Sequence, residues 1–82
     1  MSTLWNSSAL EGQVAPVTIR DLDRLVSKTE ITPASKLLLR AVRKSTMRGK
    51  VRGPQVSRYT WAVIVEDFGS SGATFRFNLK RG

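Results

Sequence analysis

Apolar positions along the chain change period twice, and each change marks an element. From residue 18, Ile19, Leu22, Leu25 and Val26 recur at helical spacing and predict a short helix from 18 to about 28. Thr18 stands at its N-cap with Asp21 three residues on, a variant of the capping box, and an acid in the first turn suits the helix dipole. Arg20, Asp21, Asp23, Arg24 and Lys28 lie off the stripe and read as solvated surface. A second helix is predicted from 32 to about 46, with Thr32 as cap and Pro33 at the first helical position, where its missing N–H is harmless. On it, Ala34, Leu37, Leu38, Leu39, Ala41 and Val42 span an arc of roughly 200° at the helical period. An apolar face that broad predicts packing on two sides, against the first helix and against a sheet.

The period then shortens. Residues 47–58 contain Gly49, Gly53 and Pro54, with Arg48, Lys50, Arg52 and Arg58 among small or apolar neighbours, and read as a loop or arm. Residues 59–66, YTWAVIVE, are β-branched and aromatic and predict a strand. Trp61, Val63 and Val65 share one face and Thr60, Ala62 and Ile64 the other; with both largely apolar, the strand is expected to be central or covered on both sides. DFGSSG at 67–72 forms a turn, and the strand returning over 73–80 alternates Ala73, Phe75, Phe77 and Leu79 inward with Thr74, Arg76, Asn78 and Lys80 outward. The fold class is thus α+β: two short helices followed by a C-terminal antiparallel β-hairpin. Because an isolated hairpin is marginal in water, two hairpins are expected to pair across a twofold axis into a four-stranded sheet.

Residues 1–17 show little pattern. Leu4, Trp5, Leu10 and Val14 are the sizeable apolar groups, and a turn capped by Ser8 and Glu11 ends at Gly12 and Pro16. The expectation is a mobile arm, with docking of Trp5 on the core or a neighbouring subunit as the alternative. Residues 18–82 then form a single small domain with a basic loop at 47–58.

At 82 residues the core is marginal, and the absence of both cysteine and histidine excludes disulfides and thiolate or imidazole metal sites as staples. Self-association remains, so a homodimer or higher homo-oligomer is expected. No apolar run reaches the roughly 18 residues of a membrane span, and the amino terminus lacks the pattern of a secretory signal. These features predict a soluble, intracellular protein, cytoplasmic or nuclear, without metal or cofactor.

Charge sharpens the picture. The net charge of +8 is matched by residues 31–65 alone, which carry Lys36, Arg40, Arg43, Lys44, Arg48, Lys50, Arg52 and Arg58 and no acid. On the second helix, Lys36, Arg40, Arg43 and Lys44 crowd into roughly 100° of arc, with like-charge neighbours at i,i+4. A single-sign block of this kind is stabilised by an anionic partner. The Arg-Gly pairs at 48/49 and 52/53 suggest a guanidinium and a bare backbone N–H reaching one phosphate together.

Catalysis has little to work with, since the commonest general base and the strongest nucleophile are absent. Glu66-Asp67 reads as solvated turn, and DFG at 67–69 matches the kinase tripeptide in letters only. The expectation is a non-enzymatic nucleic-acid-binding protein, RNA before DNA, gripping the backbone through Lys36, Arg40, Arg43, Lys44, Arg48, Lys50, Arg52 and Arg58. Tyr59 and Phe68 are the stacking candidates, while Trp61, Phe75 and Phe77 read as core; Arg76, Lys80 and Arg81 extend the charge along the hairpin. The alternative is an assembly protein whose basic face meets an acidic protein or an anionic membrane surface. The order of helices and then a hairpin is similar to that of small viral nucleocapsid dimerisation domains. That resemblance implies a shared intersubunit sheet and, for a viral protein, location in the virion.

Overall fold

The structure, a computed structural model, describes residues 15–81. It is α+β, with α1 (Ile19–Ser27) and α2 (Pro33–Met47) followed by β1 (Val51–Val56), β2 (Thr60–Val65) and β3 (Ala73–Asn78). The strands form one antiparallel sheet in the order β1-β2-β3. Residues 1–14, including Trp5 and most of the expected arm, lie outside the described residues.

Both helices start as the sequence predicts. Thr18 Oγ1 accepts from Asp21 N–H and the Asp21 carboxylate accepts from Thr18 N–H, closing a capping box. On α2 the same reciprocal box joins Thr32 and Ser35, with Pro33 in the first turn. Leu22 and Leu25 of α1 and Leu39 and Val42 of α2 are buried against Val51, Trp61, Val63, Val65, Phe75 and Phe77, all on one face of the sheet. The helices therefore form a single layer on one side.

α2 packs against α1 and against the sheet, as expected, but its apolar arc is wider than these two neighbours cover. Ala34, Leu37 and Leu38 are exposed, Leu37 at 66%, because among the described residues nothing covers the flank of α2 away from α1. Of the two arrangements expected for the 59–66 strand, central or covered on both faces, the first holds. β2 is central, but Ile64 on its outer face remains exposed.

The larger correction is β1, which lies inside the segment read as a loop and makes the hairpin a three-stranded sheet. Its pairing with β2 runs Val51↔Val65, Arg52↔Ile64, then Gln55↔Ala62, Val56↔Trp61, with an irregularity between Arg52 and Gln55 that accommodates Gly53 and Pro54. Gly53 has φ +131°, and a Cβ there would stand 3.2 Å from the Ala62 carbonyl oxygen, so this position requires glycine. The outer edge of β1 is held by residues 15–17. Val17 N–H donates to Val51 C=O and Gly53 N–H to Ala15 C=O, with Pro16 opposite Arg52. The last three residues of the expected arm thus flank the sheet, with Val17 buried.

At the core's centre, Trp61 is fully buried and stacks on its cross-strand neighbour Phe77, with centroids 4.3 Å apart. Its Nε1–H donates to Thr29 Oγ1 at 2.7 Å, and the Thr29 hydroxyl donates to Leu25 C=O at 2.7 Å. Thr29 lies in the α1–α2 linker, which runs beside the end of β3: Glu30 N–H donates to Asn78 C=O and Lys80 N–H to Lys28 C=O. Replacing Thr29 by valine keeps the shape but leaves a buried indole N–H without an acceptor. Thr29→Val is expected to cost about 1–3 kcal/mol in urea unfolding, with Thr29→Ser recovering most of it.

Candidate nucleic-acid interface

The cations sort into groups according to what the fold places beside them. α2 presents Lys36, Arg40, Arg43 and Lys44, all exposed. α1 lies beside α2 on the Arg43 side, and Arg43 Nη2 meets Asp23 Oδ1 at 2.6 Å. Lys36, Arg40 and Lys44 make no ion pair among the described residues, and they sit at successive i,i+4 positions, about 6 Å apart along the axis.

After α2 the chain turns into β1, and here two arginines meet the carboxylates of the β2–β3 turn. Arg48 Nε lies 2.9 Å from Asp67 Oδ2, and Arg52 Nε lies 2.7 Å from Glu66 Oε2. Ser45, buried in the last turn of α2, donates to Asp67 Oδ1 at 2.7 Å. Glu66 and Asp67 are therefore partners of the basic block, not solvated bystanders. Three of the eight clustered cations are balanced by acids 14 to 20 residues away in sequence. The Arg-Gly reading is also corrected. Gly49 N–H donates to Thr46 C=O and Gly53 N–H to Ala15 C=O, so neither is available for a phosphate. Lys50 is exposed and unpaired among the described residues.

The outer face of the sheet, opposite the helices, holds a shallow groove lined by Arg52, Gln55, Ala62, Ile64, Thr74 and Arg76. Arg76 points outward as expected, but it stands on the opposite side of the domain from the α2 cations. Lys80 is exposed beyond β3, next to the α1–α2 linker.

At the end of the sheet, Tyr59 is 52% exposed and carries two guanidinium groups near its ring, Arg58 at 5.8 Å and Arg81 at 5.1 Å from the centroid. Arg81, expected along the outer strand face, is brought here by the pairing of Leu79 with Tyr59. A cleft of about 390 Å³ opens beside the ring, lined also by Glu30, Asn78 and Leu79. Glu30 and Asn78 had no signal in the sequence; one sits in a linker and the other at a strand end, joined by a backbone hydrogen bond. Phe68, the second stacking candidate, is half exposed but packs edge-on against Phe75 at 5.1 Å. Trp61, Phe75 and Phe77 are core, as expected.

Comparison with known proteins found no matching family model, curated protein or solved structure. Among the described residues, no helix is long and apolar enough to cross a membrane. The same residues include no group of three His, Cys, Asp or Glu side chains placed to hold a metal ion.

The Ser45 hydroxyl and then the Arg48 guanidinium hold the Asp67 carboxyl below its ordinary range. A carboxylate with a depressed folded pKa contributes its stability above the unfolded value of about 4 and loses it as pH falls through the folded one. The stability difference between wild type and Asp67→Asn is expected to be constant above about pH 5 and to shrink below pH 4. Urea midpoints measured across that range check it; a difference that persists unchanged at pH 2 would mean that Asp67 gains nothing from ionising in the fold.

Proposed function

We propose that the protein is a non-enzymatic nucleic-acid-binding module, with RNA favoured over DNA, that grips backbone phosphates through α2 and stacks a base at Tyr59. The observation that carries this reading is the row Lys36, Arg40 and Lys44, exposed and without a carboxylate partner among the described residues, while Arg43, Arg48 and Arg52 have one. Like charges at i,i+4 oppose one another in the free helix, and a polyanion laid along the row converts that cost into attraction and counterion release. Arg43, Arg48, Lys50, Arg52, Arg58, Arg76 and Lys80 add to the general positive field, the three paired arginines least.

Tyr59 supports single-stranded RNA. A half-exposed ring with two guanidinium groups beside it suits an unstacked base with a neighbouring phosphate, and Glu30 and Asn78 offer polar groups to a base edge. Glu30 also lies in the linker that leads into α2, so a strand leaving the cleft meets Lys36 first. No catalytic step and no cofactor belong to this reading. The protein is further taken to act as a homo-oligomer whose copies share a sheet; each copy already supplies three strands, so a sheet shared by two copies holds six.

One observation favours the alternative partner, an acidic protein or an anionic membrane surface. Leu37 at 66% and Met47 at 72% exposure border the same cations, giving α2 an amphipathic outer face.

Affinity for a single-stranded RNA measured against salt tests the main reading. The triple variant Lys36→Gln/Arg40→Gln/Lys44→Gln is expected to lower the log–log salt slope by about 2, at roughly 0.7 per phosphate contact on a single strand. An unchanged slope would overturn the role of α2. Tyr59→Ala is expected to weaken binding by about 1–3 kcal/mol while leaving the slope in place. Flotation with anionic vesicles in the absence of RNA binding would favour the alternative.

A further inference from the structure

The two edges of the sheet are treated differently. The β1 edge is occupied by residues 15–17 and interrupted by the irregularity at Gly53 and Pro54. The β3 edge has neither protection. Its pairing with β2 is regular from Ala73 to Asn78, it contains no proline, and Arg76 is its one charge. A regular, nearly uncharged edge is a template for another strand.

Hydrogen-bond parity shows which groups are open. Leu79 N–H donates to Tyr59 C=O, so in this antiparallel pair residues 73, 75, 77 and 79 direct their backbone groups to β2. Residues 74, 76 and 78 then face away, consistent with Asn78 C=O accepting from Glu30 N–H. The linker covers the edge at 78–80, and the turn begins at Gly72, so the open window is 73–77, with its midpoint at Phe75. No described residue pairs with Thr74 or Arg76 there.

We infer that this window pairs with the same window of a second copy, antiparallel about a twofold axis through Phe75, giving a continuous six-stranded sheet. Register decides the occupant and the geometry. Centred on Phe75, Thr74 and Arg76 of one copy each exchange two backbone hydrogen bonds with Arg76 and Thr74 of the other, and no like charges are opposed. A slip of one residue would oppose side chains from different faces of the pleat. Centring on Arg76 sets arginine against arginine and drives Thr74 against position 78, where Glu30 already sits. Centring on Thr74 runs Arg76 into the Gly72 turn. On the helix-bearing face the Phe75 rings become neighbours, each already backed by a half-exposed Phe68. This deepens the oligomer part of the proposal above and rests on that part alone, so it is tested on protein stripped of nucleic acid.

Sedimentation across a dilution series is expected to show a monomer–dimer equilibrium. Thr74→Glu places a carboxylate opposite Arg76 of the second copy twice per dimer, and is expected to tighten it roughly two- to thirty-fold. Thr74→Lys is expected to loosen it by a similar factor, and Thr74→Pro, which removes an outward N–H and no bond to β2, to leave a monomer with an unchanged far-UV spectrum. If Thr74→Pro does not fold, the opposite signs of the Glu and Lys variants decide. A wild type that stays monomeric throughout, or a dimer indifferent to the charge at position 74, overturns the inference. RNA binding by such a monomer would leave the functional reading standing.

Discussion

The hydrogen bond from the Trp61 indole to Thr29 organises this domain. A tryptophan at the centre of a small core supplies large apolar area but brings one N–H that must find an acceptor, since leaving it unpaired costs on the order of the bond's full desolvation penalty. Thr29 meets that need because its single hydroxyl proton is already directed to Leu25 C=O, which leaves a lone pair for the indole. The bond joins the α1–α2 linker, itself tied to the last turn of α1 through Leu25 C=O, to the middle strand, and backbone hydrogen bonds lay the linker along residues 78–80. The starting point of α2, the cleft at Tyr59 and the stopping point of the open β3 edge all follow from where that linker lies.

Electrostatics divides the cations by their neighbours. Arg43, Arg48 and Arg52 sit where elements meet: α2 with α1, the end of α2 with the β2–β3 turn, and β1 with that same turn. These pairs are partly exposed, so each contributes little to stability. Their main consequence is positional. They hold guanidinium groups at the seams and leave Lys36, Arg40 and Lys44 as a row on the outer side of α2. A count of charges along the chain treats all eight alike; the fold separates those that are answered internally from those that are not.

What could be read from the sequence follows the range of the interaction involved. Caps at Thr18 and Thr32, the α1 stripe and the alternation in β3 are local patterns, and the structure has them where they were expected. β1 was hidden because it has few apolar residues and contains Gly-Pro; it is a strand by virtue of neighbours on both sides, β2 just across the 57–59 turn and residues 15–17 from far earlier in the chain. The ion pairs span 14 to 20 residues and left no local trace. Leu37 and Leu38 misled for a related reason. Periodicity states which side of a helix is apolar but not how many elements exist to cover it. Tyr59 was legible beside Arg58, whereas Arg81 reaches the ring only through the β2–β3 register.

The two proposals constrain one another through charge. Pairing two copies along β3 brings together two chains of net charge +8 each, a repulsion that salt screens and a polyanion offsets more fully. The outer face of a shared sheet would carry Arg52 and Arg76 from both copies, while each α2 row lies on the other side of the layer. A strand bound along α2 therefore need not cross the sheet interface, yet it lowers the net charge of the copy it occupies. If both proposals hold, nucleic acid favours the dimer and, by reciprocity, the dimer favours nucleic acid, with no change of shape in either. The coupling is purely electrostatic and so fades as ionic strength rises. The backbone hydrogen bonds of the β3 edge, which depend little on salt, would be left as the part of the assembly that persists.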